Sequence, residues 1–159
     1  MLGLLKETYA LVAPVSGRVM ELKEVPDEVF AAKLAGDGVA IEPNEDIIVA
    51  PTDGKIVLFF KTNHAFCIRQ DNGVEIMVHV GLDTVELKGE GFERLVEEGT
   101  RVKLGEPILK VNRKSILEKG YSLITPVLVT TMDIVEDIKI IDSKEVVAGE
   151  NRIFTYSRV

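Results

Sequence analysis

Short apolar runs, broken repeatedly by Gly, Pro, Asn and Asp, set the pattern of this chain. They predict strands near 18–23, 38–42, 47–50, 55–60, 65–70, 74–80, 101–103, 107–112, 127–131, 138–141 and 152–157. The intervening turns fall at Gly36-Asp37-Gly38, Pro43-Asn44, Asp53-Gly54, Gly89 and Gly91, Gly99, Gly105 and Gly149. Many brief strands with frequent turns indicate an all-β fold, an antiparallel β-sandwich or barrel-sandwich. Helix is a minor element: about two turns over 92–98, stopped by Gly99, and single turns at 115–119 and 133–137. No composition shift marks a linker, so the pattern reads as a flexible leader over residues 1–11 and a single domain over 12–159.

An internal repeat supports that architecture. Val12-Ala13-Pro14-Val15-Ser16-Gly17-Arg18-Val19 recurs as Val49-Ala50-Pro51-Thr52-Asp53-Gly54-Lys55-Ile56. Each copy is a turn built by Pro and Gly running into a strand. Two copies suggest two related β motifs about a pseudo-two-fold axis within one domain, rather than a solenoid.

The stretch from Thr62 to Val85 holds the chain's two histidines, His64 and His79, with Asn72-Gly73 between two strand-like runs. Asn-Gly favours a two-residue type I′ hairpin turn. In that register Asp71 pairs with Val74, Phe66 lies opposite His79, and His64 is the diagonal neighbour of His79 on the same face. Diagonal Cβ atoms sit about 7–8 Å apart, within reach of two rings leaning together. His64, Phe66, Ile68, Met77 and His79 then share one face. Ala65, Cys67, Val74, Ile76, Val78 and Val80 form the core row, which makes Cys67 a core residue. A three-residue loop would shift the pairing by one and send His64 to the other face. A lone histidine in such a patch is ordinarily a packed, hydrogen-bonded residue. The only two, juxtaposed beside Thr62 and Asp83, read as a site.

Composition narrows what such a site could serve. The chain has 159 residues, 46% of them hydrophobic and 28% charged, enough for a sizeable core. A net charge of −7 argues against a nucleic-acid backbone as partner and suits a basic protein. One cysteine excludes an internal disulfide and fits a reducing cytoplasm. No apolar run approaches the ~18 residues of a spanning helix, so direct membrane insertion is not expected.

A neutral imidazole can be a nucleophile toward phosphorus, a metal ligand or a general base. Where a backbone carbonyl at Val80-Gly81 holds Nδ1–H of His79, Nε2 presents its lone pair outward. A second imidazole can hydrogen-bond a phosphoryl oxygen, which suits phosphoryl transfer. Zinc is the other use for paired histidines, but two ligands fall short of the four of a closed structural site. No serine has the G-x-S-x-G setting of a nucleophilic triad. Lipoyl- or biotin-carrying domains need a displayed lysine that neither Lys23 nor Lys88 supplies, and zinc peptidases need more ligands.

Gly73-Val74-Glu75-Ile76-Met77-Val78-His79-Val80-Gly81-Leu82-Asp83-Thr84-Val85, with Thr62-Asn63-His64-Ala65-Phe66 upstream, resembles the IIA domain of the glucose family of the bacterial phosphoenolpyruvate-dependent sugar phosphotransferase system. The likeness runs from about Val12 to the C-terminus and includes Gly36-Asp37-Gly38-Val39-Ala40-Ile41 and Glu86-Leu87-Lys88-Gly89-Glu90-Gly91-Phe92. The resemblance implies a duplicated β-sandwich and a phosphotransferase component working through phosphohistidine. It implies that His79 accepts the phosphoryl group at Nε2 from the phosphocarrier HPr and passes it to a cysteine of a sugar-specific IIB domain. His64 would support that group in onward transfer, with Thr62 beside it. Asp27 and Asp83 would meet arginines of the partners, and Val29, Phe30 and Phe60 would belong to the apolar collar into which they dock. The resemblance requires no cofactor, allows an optional zinc ion between His64 and His79, and places the protein in the cytoplasm, beside the membrane through its IIB and IIC partners. Met77 stands where some relatives carry an aromatic, and Ala35 where some carry valine. The second function the resemblance allows is a regulatory binding module, whose phosphorylation state controls permeases or metabolic enzymes.

Overall fold

The structure, a computed structural model, describes residues 7–159. Among the described residues the first half of the chain forms β1 (Thr8–Val12), β2 (Gly17–Glu21), β3 (Asp37–Pro43), β4 (Ile47–Val49), β5 (Gly54–Phe59), β6 (Ala65–Arg69) and β7 (Glu75–His79). The second half forms β8 (Phe92–Arg94), β9 (Arg101–Val102), β10 (Pro107–Val111), β11 (Thr125–Val129), β12 (Val135–Ile140), β13 (Glu145–Val146) and β14 (Arg152–Arg158). Two short helices, α1 (Glu28–Ala31) and α2 (Arg113–Glu118), and single 3-10 turns at Leu22–Glu24, Thr84–Leu87 and Met132–Ile134 complete the elements. All strand pairs are antiparallel. The fold is the all-β antiparallel sandwich that the alternation predicts.

The largest sheet has eight strands in the order β13-β2-β3-β11-β7-β6-β5-β9, flanked by sheets β4-β10-β8 and β1-β14-β12. That order is the repeat made visible. Val12 N–H donates to Pro51 O (3.0 Å) and Val49 N–H to Pro14 O (2.7 Å), so each copy of the V-A-P motif grips the other. The symmetry continues outward: Ala13 N–H bonds Asn151 O where Ala50 N–H bonds Glu106 O, and Gly149 N–H bonds Ala13 O where Gly105 N–H bonds Ala50 O. Val127 of β11 lies opposite Val78 of β7. Carrying the registers of the two halves across makes these two valines equivalents of one another, so the pseudo-axis passes between them.

Two apolar clusters form. The main one includes Leu11, Phe59, Phe66, Ile76, Val78, Ile108, Phe154 and Tyr156 between the sheets. A smaller one joins Leu22, Val25, Phe30, Ala40, Leu82 and Leu128, with Met77 packed against it. It lies on the other side of β3, β11 and β7, under the segment that bears α1. The site described below stands at its edge.

The structure corrects the sequence reading in several places. Residues 1–6 lie outside the described residues, but Thr8–Val12 is a strand paired with β14, and Leu11 is fully buried. The tail of the expected leader is therefore fixed in the fold, because β14 would otherwise present an unpaired edge. The helix expected over 92–98 is replaced at its start by β8, which pairs with Leu109–Val111 of β10. Phe92 is buried and Leu95 is 40% exposed, so ladder pairing outweighs a short local helix preference.

The β6–β7 hairpin also departs from expectation. Ala65, not Phe66, lies opposite His79, and Phe66 lies opposite Val78. The loop is the three-residue alternative: Gln70 N–H bonds Val74 O, and Gly73 N–H bonds Gln70 O. Only Gly73 of the pair takes a positive φ (89°), whereas a type I′ turn needs both. Asn72 has other partners: its Oδ1 accepts from Val74 N–H, and its Nδ2 donates to the Tyr156 hydroxyl, which donates in turn to Gln70 Oε1. Phe66 and Ile68 consequently face the main core, while Cys67 sits opposite Met77 on the His79 face. Cys67 is still buried, and burial pushes its thiol up to about 11.

The repeat allows a paired test. A Cβ on Gly17 would meet Glu42 O at 2.1 Å, and one on Gly54 would meet Arg69 O at 2.4 Å. Gly17→Ala and Gly54→Ala should each destabilise the fold by a similar amount, about 1–3 kcal/mol, by forcing adjacent strands apart. Urea unfolding of the two variants measures it; a cost at only one site would break the equivalence.

Candidate functional site

His79 is the last residue of β7, and the chain turns immediately after it. Gly81 has φ of 87°, and an added Cβ there would fall 2.4 Å from Thr84 Cγ2 and 2.8 Å from Ser122 O, so the turn requires glycine. The Val80–Gly81 peptide is held by Gly81 N–H to Ile124 O and by the buried Thr84 hydroxyl donating to Val80 O (2.6 Å), and the Gly81–Leu82 peptide by Leu82 N–H to Ser122 O (3.1 Å). The fixed Gly81 carbonyl accepts from Nδ1 of His79 at 2.8 Å. A carbonyl can only accept, so the hydrogen is on Nδ1, and Nε2 carries the lone pair.

His64 reaches the same place by a different route. It stands one residue before β6, and its carbonyl still accepts from Val80 N–H at 2.7 Å. Strict alternation would send its ring to the core side. The ring instead meets that of His79 at the end of the sheet, following Asn63 at φ 60°. The centroids are 4.8 Å apart and the planes 85° apart, an edge-on contact. The two imidazoles are thus together, although not through the register that predicts it. His64 is 2% exposed, with Nδ1 at 2.7 Å from the Thr62 hydroxyl. In the tautomer where Thr62 donates, His64 carries its hydrogen on Nε2.

Aromatic rings frame the pair. Phe30 of α1 tilts over His79 at 5.0 Å, Phe60 meets His64 edge-on at 5.3 Å, and Phe92 lies 6.5 Å from His64. Phe30 is buried, whereas Val29 beside it is 49% exposed. Asp27 starts α1 by accepting the Val29 N–H at 3.0 Å, which turns Phe30 inward and Val29 outward. Asp83 follows the Gly81 turn with φ of 59°, itself exposed. The structure therefore brings Phe30, Phe60, Thr62 and His64 together with His79, sets the charges of Asp27 and Asp83 where they act on its ring, and leaves Val29 exposed beside Phe30.

The electrostatics follow from burial. Desolvation first, then the neighbouring His79, lowers His64 to about 4. Desolvation also lowers His79, opposed by the Gly81 carbonyl and by the charges of Asp27 and Asp83. Among the described residues no group of three His, Cys, Asp or Glu is placed to hold a metal. An ion between His64 and His79 would need its remaining ligands from another molecule.

Residues that sequence reasoning passed over complete the setting. Arg94 of β8 donates from Nε to Asn63 Oδ1 and from Nη2 to Phe60 O, bonding both ends of the turn that bears Thr62 and His64. Thr84 anchors the turn after His79. The only signal for either was proximity in sequence to Phe92 and Asp83, which does not show where a side chain reaches.

Comparison with known proteins agrees with the geometry. Residues 9–135 match the family model of the phosphoenolpyruvate-dependent sugar phosphotransferase system, EIIA 1. The glucose-specific EIIA component of Bacillus cereus is 48% identical over 138 residues, covering 87% of this chain and 84% of that one. The N-acetylglucosamine-specific EIICBA component of Klebsiella pneumoniae is 48% identical over 149 residues, 94% of this chain but only 23% of that longer protein. The solved glucose permease IIA of Mycoplasma capricolum superposes with a TM-score of 0.87 at 35% identity, over 97% of this chain and 99% of that one. Sequence and fold thus lead to one assignment: the chain belongs to the EIIA 1 family of the phosphoenolpyruvate-dependent sugar phosphotransferase system, as a glucose-type EIIA component of sugar phosphotransfer.

Proposed function

We propose that this protein is a phosphohistidine carrier in sugar uptake, taking a phosphoryl group from HPr on Nε2 of His79 and giving it to the cysteine of a sugar-specific IIB domain. The observation that carries the reading is the hydrogen bond from His79 Nδ1 to Gly81 O, which leaves Nε2 as the free nucleophile. Attack by that lone pair forms the new N–P bond while the bond from phosphorus to the donor breaks, its electrons leaving with the donor. The positive charge that develops on the His79 ring is shared with Gly81 O and offset by Asp27 and Asp83, which already favour it. His64, braced by Thr62, offers Nε2–H to a phosphoryl oxygen. In the reverse sense the same contacts release the group to the sulfur of IIB.

The surround supports a protein rather than a small molecule as donor. Val29 and the ring of Phe60 give an apolar contact, and Asp27 and Asp83 flank it with negative charge suited to arginine or lysine. Docking would exclude water from the labile phosphoramidate. No helix among the described residues is long and apolar enough to cross a membrane, so attachment there would come through IIB and its membrane partner IIC. A zinc ion on His64 and His79, completed by a partner's carboxylate, is compatible with this surface and is required by no step.

Three outcomes test the proposal. Incubation with phosphoenolpyruvate, enzyme I and HPr should add one acid-labile phosphate, absent in His79→Ala. His64→Gln should still take up phosphate but pass it to IIB at least roughly tenfold more slowly; phosphate mapped to another residue, or unimpaired transfer, would refute the roles. Asp83→Asn, which keeps the left-handed backbone and removes only charge, should weaken HPr binding by roughly three- to tenfold in low salt and less in high salt, read by calorimetry.

The acid side of the stability profile gives a further, independent test of the buried His64. His64 has a folded pKa of about 4 against an ordinary value of 6.5. Between these values the unfolded chain binds more protons, so stability rises with pH across the window and is fully present above 6.5. On acidification it is lost progressively toward pH 4. Denaturant unfolding should show this slope, shallower in His64→Gln, and imidazole resonances of His64 should titrate near 4; a midpoint near 6.5 would contradict the buried, neutral ring.

A further inference from the structure

The turn Phe60-Lys61-Thr62-Asn63 joins β5 to β6 and delivers both Thr62 and His64 to the site. Two of its own backbone bonds close it, Phe60 N–H to Ala65 O (3.0 Å) and Asn63 N–H to Phe60 O (2.8 Å). Asn63 is held at φ 60°, a conformation that side-chain-bearing residues seldom take. The remaining constraint comes from a different sheet. Arg94 of β8 reaches Asn63 Oδ1 at 2.5 Å and Phe60 O at 3.1 Å through adjacent arms of one guanidinium. Its Cζ lies 4.4 Å over the Phe59 ring, and Glu97 holds the remaining arm at 3.7 Å. Two residues earlier on the same strand, the ring of buried Phe92 lies tilted beside that of His64, with centroids 6.5 Å apart. One short strand therefore packs the ring and fastens the turn from which the ring projects.

We infer that Arg94 is a positioning residue for His64 and Thr62: its planar fork, more than its charge, fixes the turn so that the second imidazole meets the phosphoryl group. The inference rests on the carrier reading above for the step it serves, and on the geometry alone for the placement of His64. A guanidinium can bond two acceptors and stack on Phe59 at once, which an ammonium cannot. Direct action on phosphate is disfavoured, because the guanidinium is already engaged by Asn63, Phe60, Phe59 and Glu97. Loss of the fork should loosen His64 without touching the Gly81 turn that fixes His79.

The test compares Arg94→Lys and Arg94→Gln in the full chain by two readouts. Imidazole NMR should show His64 resonances displaced and broadened in both variants, with those of His79 little changed. Phosphate uptake from HPr should stay within about twofold of wild type, while kcat for onward transfer to IIB falls roughly tenfold with KM unchanged. Full onward activity in Arg94→Lys with loss in Arg94→Gln would show that charge suffices and overturn the inference. Unchanged His64 resonances in both variants would overturn it as well. If the arginine variants do not fold, Asn63→Gly keeps the left-handed turn while removing the acceptor for Nε. It should show the same displacement of His64, and wild-type behaviour there would refute the clamp. Failure of the wild-type protein to take up phosphate would sink the carrier reading instead, leaving the NMR comparison to judge the clamp separately.

Discussion

One hydrogen bond, from Nδ1 of His79 to the carbonyl of Gly81, determines what chemistry this surface can perform. It fixes which nitrogen is free and the plane in which that nitrogen points. The bond depends on a glycine that can take positive φ, on Thr84 and Ile124 holding the adjacent peptides, and on β7 ending where it does. None of these residues reacts. Moving the Gly81 carbonyl would release the ring to the other tautomer, whatever else remained in place. The sheet's main service to the site is therefore to make a turn rigid at one end of a central strand.

The duplication shows how much of the site the scaffold supplies and how much is local. Carrying the strand registers across the pseudo-axis places Asp37 at the position equivalent to His64 and Leu128 at that equivalent to His79. The backbone correspondence holds: Asp37 is opposite Val129 as His64 bonds Val80, and Gly38 is opposite Leu128 as Ala65 is opposite His79. Yet Leu128 is buried in the smaller core, covered with Leu22, Val25 and Phe30. The segment bearing α1 thus has two tasks, to close over one half of the repeat and to lay Phe30 against the histidine of the other. A symmetric frame acquires a single site because its cover is asymmetric.

The same contrast separates what was legible in the sequence from what was not. Strand positions, the V-A-P repeat and the nearness of two histidines follow from alternation and turn chemistry, which are local. The hairpin register does not, because Asn72-Gly73 alone specifies a type I′ turn, whereas Tyr156, far along the chain, engages Asn72 and Gln70 around a three-residue loop. The pairing slipped by one, and Phe66, Ile68 and Cys67 changed faces, but the histidine contact survived because His64 lies beyond the regular ladder. β1 and β8 escaped notice for a related reason: each is defined by the partner strand it covers, not by its own pattern. Arg94 escaped because a surface-type residue on a strand gave no sign of what it would hold.

For the carrier proposed above, which would receive and surrender the same group, burial of the two imidazoles has a consequence. Desolvation lowers the basicity of both rings and keeps them neutral near pH 7, so Nε2 of His79 is available to attack without first losing a proton. In the proposed transfer the same lowered basicity would make that nitrogen a better leaving group. Complete burial would push the balance too far, by disfavouring the positively charged ring that phosphorylation would form. The charges of Asp27 and Asp83 oppose it at His79. The two histidines differ in their surroundings: carboxylates support charge on His79, while burial and the neighbouring His79 lower His64 to about 4 and hold it neutral. A basic partner that covered both carboxylates would weaken their support for charge on the His79 ring. Donor and acceptor docking on the same carboxylates would both have this effect, so the direction of transfer would be set by the partners rather than by Asp27 and Asp83.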